Sequence, residues 1–144
     1  MIFLLDVNVL IALVDPDHVH HDVVHDWFAA NGAQGWATCP ITENGAVRII
    51  SNPSYPNSPG SPALVGEALR ALRGHAGHIF WPDDISLLSG RQVDLQRLGT
   101  CGQVTDSYLL ALAAHRGGRL ASLDRRLSTQ AVAGGDEALH VLRS

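Results

Sequence analysis

The sequence predicts an α/β fold of three layers, α/β/α, with a central, mostly parallel sheet between helices. Short apolar runs of strand length alternate with segments of helical length from one end to the other, the pattern that strand–helix–strand units leave. No internal repeat or separate linker interrupts that alternation, so the 144 residues read as a single domain, 1–144. A composition of 46 % hydrophobic and 17 % charged residues excludes a disordered chain and supplies a core without disulfides.

Taken in order, Ile2-Phe3-Leu4-Leu5 is a buried strand and Val9 to Val14 a short helix stopped before Pro16. His18 to Ala30 has helical length, with Val19, Val23, Trp27 and Ala30 on one face and Gly32 beyond its end. Gly35 to Cys39 is a second strand, after which Pro40, suited to a first helical position, opens a helix to about Ile50. Four prolines and a glycine make Asn52 to Pro62 a loop. Ala63 to Arg73 is a helix, His78 to Trp81 a strand and Ser86 to Leu98 a helical stretch. Thr105 to Arg116 has the clearest helical pattern and is ended by Gly117-Gly118. Arg119 to Leu123 is a strand, Arg125 to Val132 a helix and Leu139 to Leu142 a terminal strand.

The charge excludes several chemistries. All ten basic residues are arginines, so mechanisms that need a lysine fall away, P-loops and Schiff-base enzymes among them. A net charge of −4 is ill suited to gripping nucleic acid by electrostatics alone. Cys39 and Cys101 form neither a metal-ligand spacing nor a disulfide framework, which fits a reducing cytoplasm. The opening MIFLLDVNVLIALV lacks the basic start of a signal peptide, and Asp6 and Asn8 break its apolar run. No run reaches the roughly 18 apolar residues of a membrane span. A cytoplasmic protein with no membrane partner is expected.

Ligands of open parallel sheets bind at the carboxyl ends of the strands. Asp6 ends the first strand and Asp124 the fourth, while Glu43 and Asp106 fall in the first turns of helices. All four carboxylates therefore point toward one rim. Gathered without a counter-ion they would repel one another and raise each other's pKa values. Hard divalent cations relieve that conflict: Mg²⁺ and Mn²⁺ prefer oxygen ligands, take one or two carboxylates each and keep waters for chemistry. Two such ions about 3.5–4 Å apart would activate a water and steady the leaving oxygen of a phosphodiester.

Asp6-Val7-Asn8-Val9-Leu10 after an apolar strand, then Thr42-Glu43-Asn44-Gly45, Thr105-Asp106-Ser107-Tyr108-Leu109 and Ser122-Leu123-Asp124 together resemble the PIN-domain ribonucleases, most of all the VapC toxins of bacterial toxin–antitoxin modules. The resemblance spans nearly the whole chain. It implies a five-stranded parallel sheet and a Mg²⁺- or Mn²⁺-dependent endoribonuclease, usually a homodimer. It also implies inhibition by a cognate VapB antitoxin whose C-terminal segment covers the active site. Carried over by residue, Asp6 and Asp106 are metal ligands, Glu43 a ligand or the residue orienting the nucleophilic water, and Asp124 the completing acid, acting through a water. Asn8, Thr105 and Ser122 resemble the residues that fix these carboxylates.

Other features have a functional and a plainer reading. His18, His21 and His25 share a helical face beside His20, yet lack the glutamate of an H-E-x-x-H zinc motif, so a solvated face is expected. Arg48, one turn after Asn44, and Arg125 and Arg126, directly after Asp124, are candidates for phosphate contact with RNA. Tyr55 in the proline-rich loop either stacks on an unpaired base or belongs to a simple connector. Gly45 inside a helix costs roughly 1 kcal/mol against alanine, which points to close packing or a local bend. Two alternatives to the nuclease stand. A non-catalytic PIN-like module that binds RNA or protein has little reason to keep all four acids. A phosphoaspartate hydrolase would need a second aspartate where Asn8 stands, and a lysine.

Overall fold

A computed structural model describes residues 1–143. Its five strands are β1 (Phe3–Leu5), β2 (Trp36–Thr38), β3 (His78–Phe80), β4 (Arg119–Ser122) and β5 (Leu139–Val141). They form one sheet in the order β3-β2-β1-β4-β5, every pairing parallel. The helices are α1 (Val7–Val14), α2 (His21–Asn31), α3 (Pro40–Ile50), α4 (Pro62–Arg73), α5 (Val104–His115) and the single turn α6 (Gly135–Ala138).

Consecutive strand residues serve opposite layers, which is why the strands read as unbroken apolar runs. Leu5, Trp36 and Ala121 pack into one cluster with Val9 and Leu10 of α1, Val24 of α2, Ala46 and Ile50 of α3 and Val65 and Leu69 of α4. Leu4, Ala37 and Leu120 pack into the other, with Leu109, Leu110 and Leu112 of α5 and Ala138 of α6. The sheet is thus covered on both faces. Chain progression runs from β1 outward to β3 over one face and returns over the other through α5 to β4. The direction therefore reverses at the β1/β4 crevice, the point where such sheets bind ligands.

Three expected elements differ. Ser86 to Leu98 is not a helix but two 3₁₀ turns, Leu87–Ser89 and Leu95–Arg97. The Ser86 and Asp94 side chains cap the turns, Gly90 lies at φ 71° between them, and Val93 bridges to Val132 as an extended pair. That bridge also prevents the expected helix over Arg125 to Val132, where the chain turns instead. Helix α2 begins at His21, so Val19 precedes it and is 84 % exposed. Its inner face is Val24 with half-buried Val23, Trp27 and Phe28, while Ala30 faces solvent. Among the described residues no helix is long and apolar enough to cross a membrane.

Candidate active site

Asp6 follows β1 directly and is the N-cap of α1: its Oδ1 accepts from the Val7 amide at 2.7 Å. Its Oδ2 accepts from the Ser122 hydroxyl at 2.7 Å, and the residue is only 5 % exposed. Asn8 bridges the crevice with both ends of its amide. Its Nδ2 donates to Ser122 Oγ at 3.3 Å, and its Oδ1 accepts from the Leu123 amide at 3.1 Å. Ser122 Oγ also accepts from the Asp124 amide at 3.1 Å. Ser122 and Asn8 therefore fix the Asp6 carboxylate across two strands adjacent in space but more than a hundred residues apart in sequence.

Asp106 enters from the first turn of α5, where the positive end of the helix dipole favours a carboxylate. Asp6 and Asp106 line one cavity of about 450 Å³, together with Asn44, Gly45 and Arg48 of α3 and with Thr105. Asp124 lies close by at the end of β4, its Oδ1 accepting from the Arg126 amide at 2.9 Å. Burial above all raises the Asp6 carboxyl from its ordinary value against its hydrogen bonds, and Asp124 adds to the rise. The Asp106 carboxyl is pushed up to about 6, by burial first and then by the negative charges of Asp6 and Asp124. Among the described residues the Asp106 carboxylate has no hydrogen bond or ion pair to offset that repulsion.

Glu43 is placed differently. It stands beside the acid cleft, in the adjoining groove between α3 and α4, with Oε2 accepting from the Thr38 hydroxyl at 2.7 Å. Arg73 Nη1 lies 3.3 Å from the same oxygen. The Thr38 proton is committed to Glu43, so His78 Nε2, 2.8 Å from Thr38 Oγ1, carries the proton of that contact. Thr38, Arg73 and His78 had no signal in the sequence, since the contacts join β2, α4 and β3.

Thr105 lines the cleft as an exposed residue, without a hydrogen bond to a carboxylate among the described residues. Arg48 lines the cleft, whereas Arg125 and Arg126 are exposed on the turn after Asp124. The proline-rich loop does not lie over this site. Tyr55 packs with the apolar cluster of α1 to α4 and donates to Asp15 at the far end of α1, 2.5 Å away. His21 bonds the Ala12 carbonyl through Nδ1 at 2.6 Å, anchoring α2 to α1. A larger cavity of about 650 Å³ lies between α1, α2 and α4, but its lining is mostly apolar and holds no carboxylate. The two carboxylates Asp6 and Asp106 lie in the smaller one.

Among the described residues no three His, Cys, Asp or Glu side chains converge closely enough to enclose an ion. A closed cage of protein ligands, as zinc takes in structural sites, is therefore not what these residues offer. Two carboxylates in one cleft, one of them unpartnered and repelled by its neighbours, fit the demands of Mg²⁺ or Mn²⁺, which keep most of their waters.

A family model for the PIN domain matches residues 3–133. Ribonuclease VapC39 of Mycobacterium tuberculosis is 48 % identical over 139 residues, covering 96 % of this chain and all of the relative. Ribonucleases VapC44 and VapC38 of the same organism are 45 % and 44 % identical, each over about nine-tenths of both chains. The crystal structure of Mycobacterium tuberculosis VapC20, a sarcin–ricin loop cleaving toxin, superposes with a TM-score of 0.63 at 12 % identity. It covers 91 % of this chain and 96 % of its own, a likeness of fold.

Proposed function

This chain belongs to the PIN-domain family, and from that premise we propose that it is a divalent-metal-dependent endoribonuclease, the toxin of a type II toxin–antitoxin module. One observation carries the site: Asp6 and Asp106 line a single cleft between the start of α1, α3 and the first turn of α5, with Asp106 pushed up to about 6. A Mg²⁺ or Mn²⁺ bound there would supply an activated water and offset the charge of the scissile phosphate. In this reading Asp6 and Asp106 are its ligands, and Asp124 completes the site through a water. Asn8 and Ser122 keep the Asp6 carboxylate aimed into the cleft, and Thr105 lines its mouth. Glu43 orients the nucleophilic water or joins the ligands from the neighbouring groove. Arg48, Arg125 and Arg126 meet backbone phosphates. The partners are RNA, a VapB-type antitoxin and a second copy of the chain, in the cytoplasm.

Purified protein is expected to cut single-stranded RNA with Mg²⁺ or Mn²⁺ and to stop on addition of EDTA. Asp6→Asn and Asp106→Asn each lower the cleavage rate by about a hundredfold or more, the scale lost with a group that stabilises transition-state charge. Parental cleavage by both folded variants overturns the site.

A further inference from the structure

We propose that Arg73 is a positioning residue for Glu43: without RNA it holds that carboxylate in the α3–α4 groove, and an RNA phosphate entering the groove takes the guanidinium and frees Glu43 for the acid cleft. The proposal rests on the ribonuclease reading and deepens it at the same site.

Glu43 is held through one oxygen only. Thr38 at the end of β2 and Arg73 at the end of α4 both bind Oε2, at 2.7 Å and 3.3 Å, and Glu43 does not line the cleft that holds Asp6 and Asp106. The cleft and the groove adjoin across α3, because Asn44 and Arg48 line the acid cleft and also the surface depression that Glu43 lines. Farther along, Glu43 and Val47 line the groove with Arg70 and Arg73. Three arginines thus mark one track that opens onto the acidic pair, and among the described residues Arg48 and Arg70 have no ion pair. A strand of RNA laid in that track meets guanidinium groups before it meets the carboxylates.

The Glu43–Arg73 pair is suited to exchange. It is a single contact to one oxygen, with the Arg73 side chain 43 % exposed and that of Glu43 26 % exposed. Exposed pairs of that kind are weak. A phosphate accepts two parallel bonds from a guanidinium, which makes it the stronger partner. The Phe80 ring, 5.5 Å from the Arg73 guanidinium carbon, keeps the cation in the groove after Glu43 leaves. The arriving phosphate also repels the Glu43 carboxylate. Docking of substrate and release of Glu43 are then one event, with Thr38 as the pivot.

The test is a Mn²⁺ titration of the full chain without RNA, comparing the parent with Arg73→Gln, Glu43→Gln and the double variant. Arg73→Gln is expected to bind Mn²⁺ roughly two- to fivefold more tightly, the range set by losing an exposed ion pair. That gain disappears on the Glu43→Gln background, and Arg73→Lys restores the parental affinity. No gain overturns the proposal, and so does a gain that persists without Glu43, which is only the field of a deleted charge. For the phosphate contact, binding of a fluorescein-labelled oligoribonucleotide in Ca²⁺ is followed against salt. The logarithmic salt slope falls by about one in Arg73→Gln, and an unchanged slope overturns that half. A parent that cuts no RNA refutes the ribonuclease reading, whereas the Mn²⁺ comparison still decides whether Arg73 restrains Glu43.

Discussion

Asp106 is where the cleft's electrostatics are most exposed to measurement. Its carboxyl sits at about 6 against an ordinary 3.8, raised first by burial and then by Asp6 and Asp124. A folded value above the unfolded one means that the native state holds the proton more tightly. The stability this contributes is complete below the unfolded value and is lost as pH rises through the folded one. In metal-free protein that loss falls between about pH 4 and pH 7. Asp106→Asn cannot ionise and escapes it. Thermal unfolding in EDTA is therefore expected to give the variant a melting temperature a few degrees above the parent near neutral pH, with the gap closing toward about pH 4. Mn²⁺ reverses the order, because the ion stabilises only the protein that retains its ligand. Parallel melting curves for the two proteins across that range, without metal, would show that Asp106 is not perturbed.

At the scale of elements, the site depends on how closely α3 approaches the start of α1. A Cβ on Gly45 would lie 2.9 Å from Val7 Cγ2, so only glycine lets α3 pack against the turn that carries Asp6 and Asn8. Gly45→Val is expected to cost about 1–3 kcal/mol through overpacking and to reduce cleavage by moving α3 and Arg48 away from the acids. Val7→Ala on that background makes room and returns both stability and rate, as denaturant melts and cleavage assays would register. Failure of this second change to restore either would mean that Gly45 serves the helix rather than the contact. Gly45 was legible as an oddity in a helix, though its partner was not. The strands were legible for a physical reason: Leu4 and Leu5, or Trp36 and Ala37, bury on opposite faces and so leave an apolar run. The stretch from Ser86 to Leu98 misled because its leucines recur at helical spacing. Its backbone was claimed instead by two side-chain caps and a bridge from Val93 to Val132, a partner distant in sequence. The same limit applies to the site. Asp6 and Asp106 could be placed from strand ends and first turns, whereas the Thr38, Arg73 and His78 contacts of Glu43 are tertiary and leave no mark in spacing.

Across the whole molecule, a net charge of −4 has to be reconciled with a polyanionic substrate. Ten arginines and no lysine do not make a basic protein, and on the proposed function the acidic pair stands where the scissile phosphate comes. Each phosphate contact by a cation adds to affinity by releasing counter-ions, but a carboxylate cleft without an ion subtracts from it. RNA binding should then depend on a divalent cation for affinity as well as for cutting. Ca²⁺, a hard cation that takes oxygen ligands at longer distances and in looser geometry than Mg²⁺, separates the two. Fluorescence anisotropy with a labelled single-stranded oligoribonucleotide is expected to give at least about tenfold tighter binding in Ca²⁺ than in EDTA, or about 1.4 kcal/mol. Asp106→Asn narrows that difference, because less repulsion remains for the ion to relieve. Equal affinity in Ca²⁺ and EDTA for the parent would mean that RNA is held entirely by the arginine track and never closes on the carboxylates. The proposed assignment of phosphodiester cleavage to the cleft of Asp6 and Asp106 would then fall.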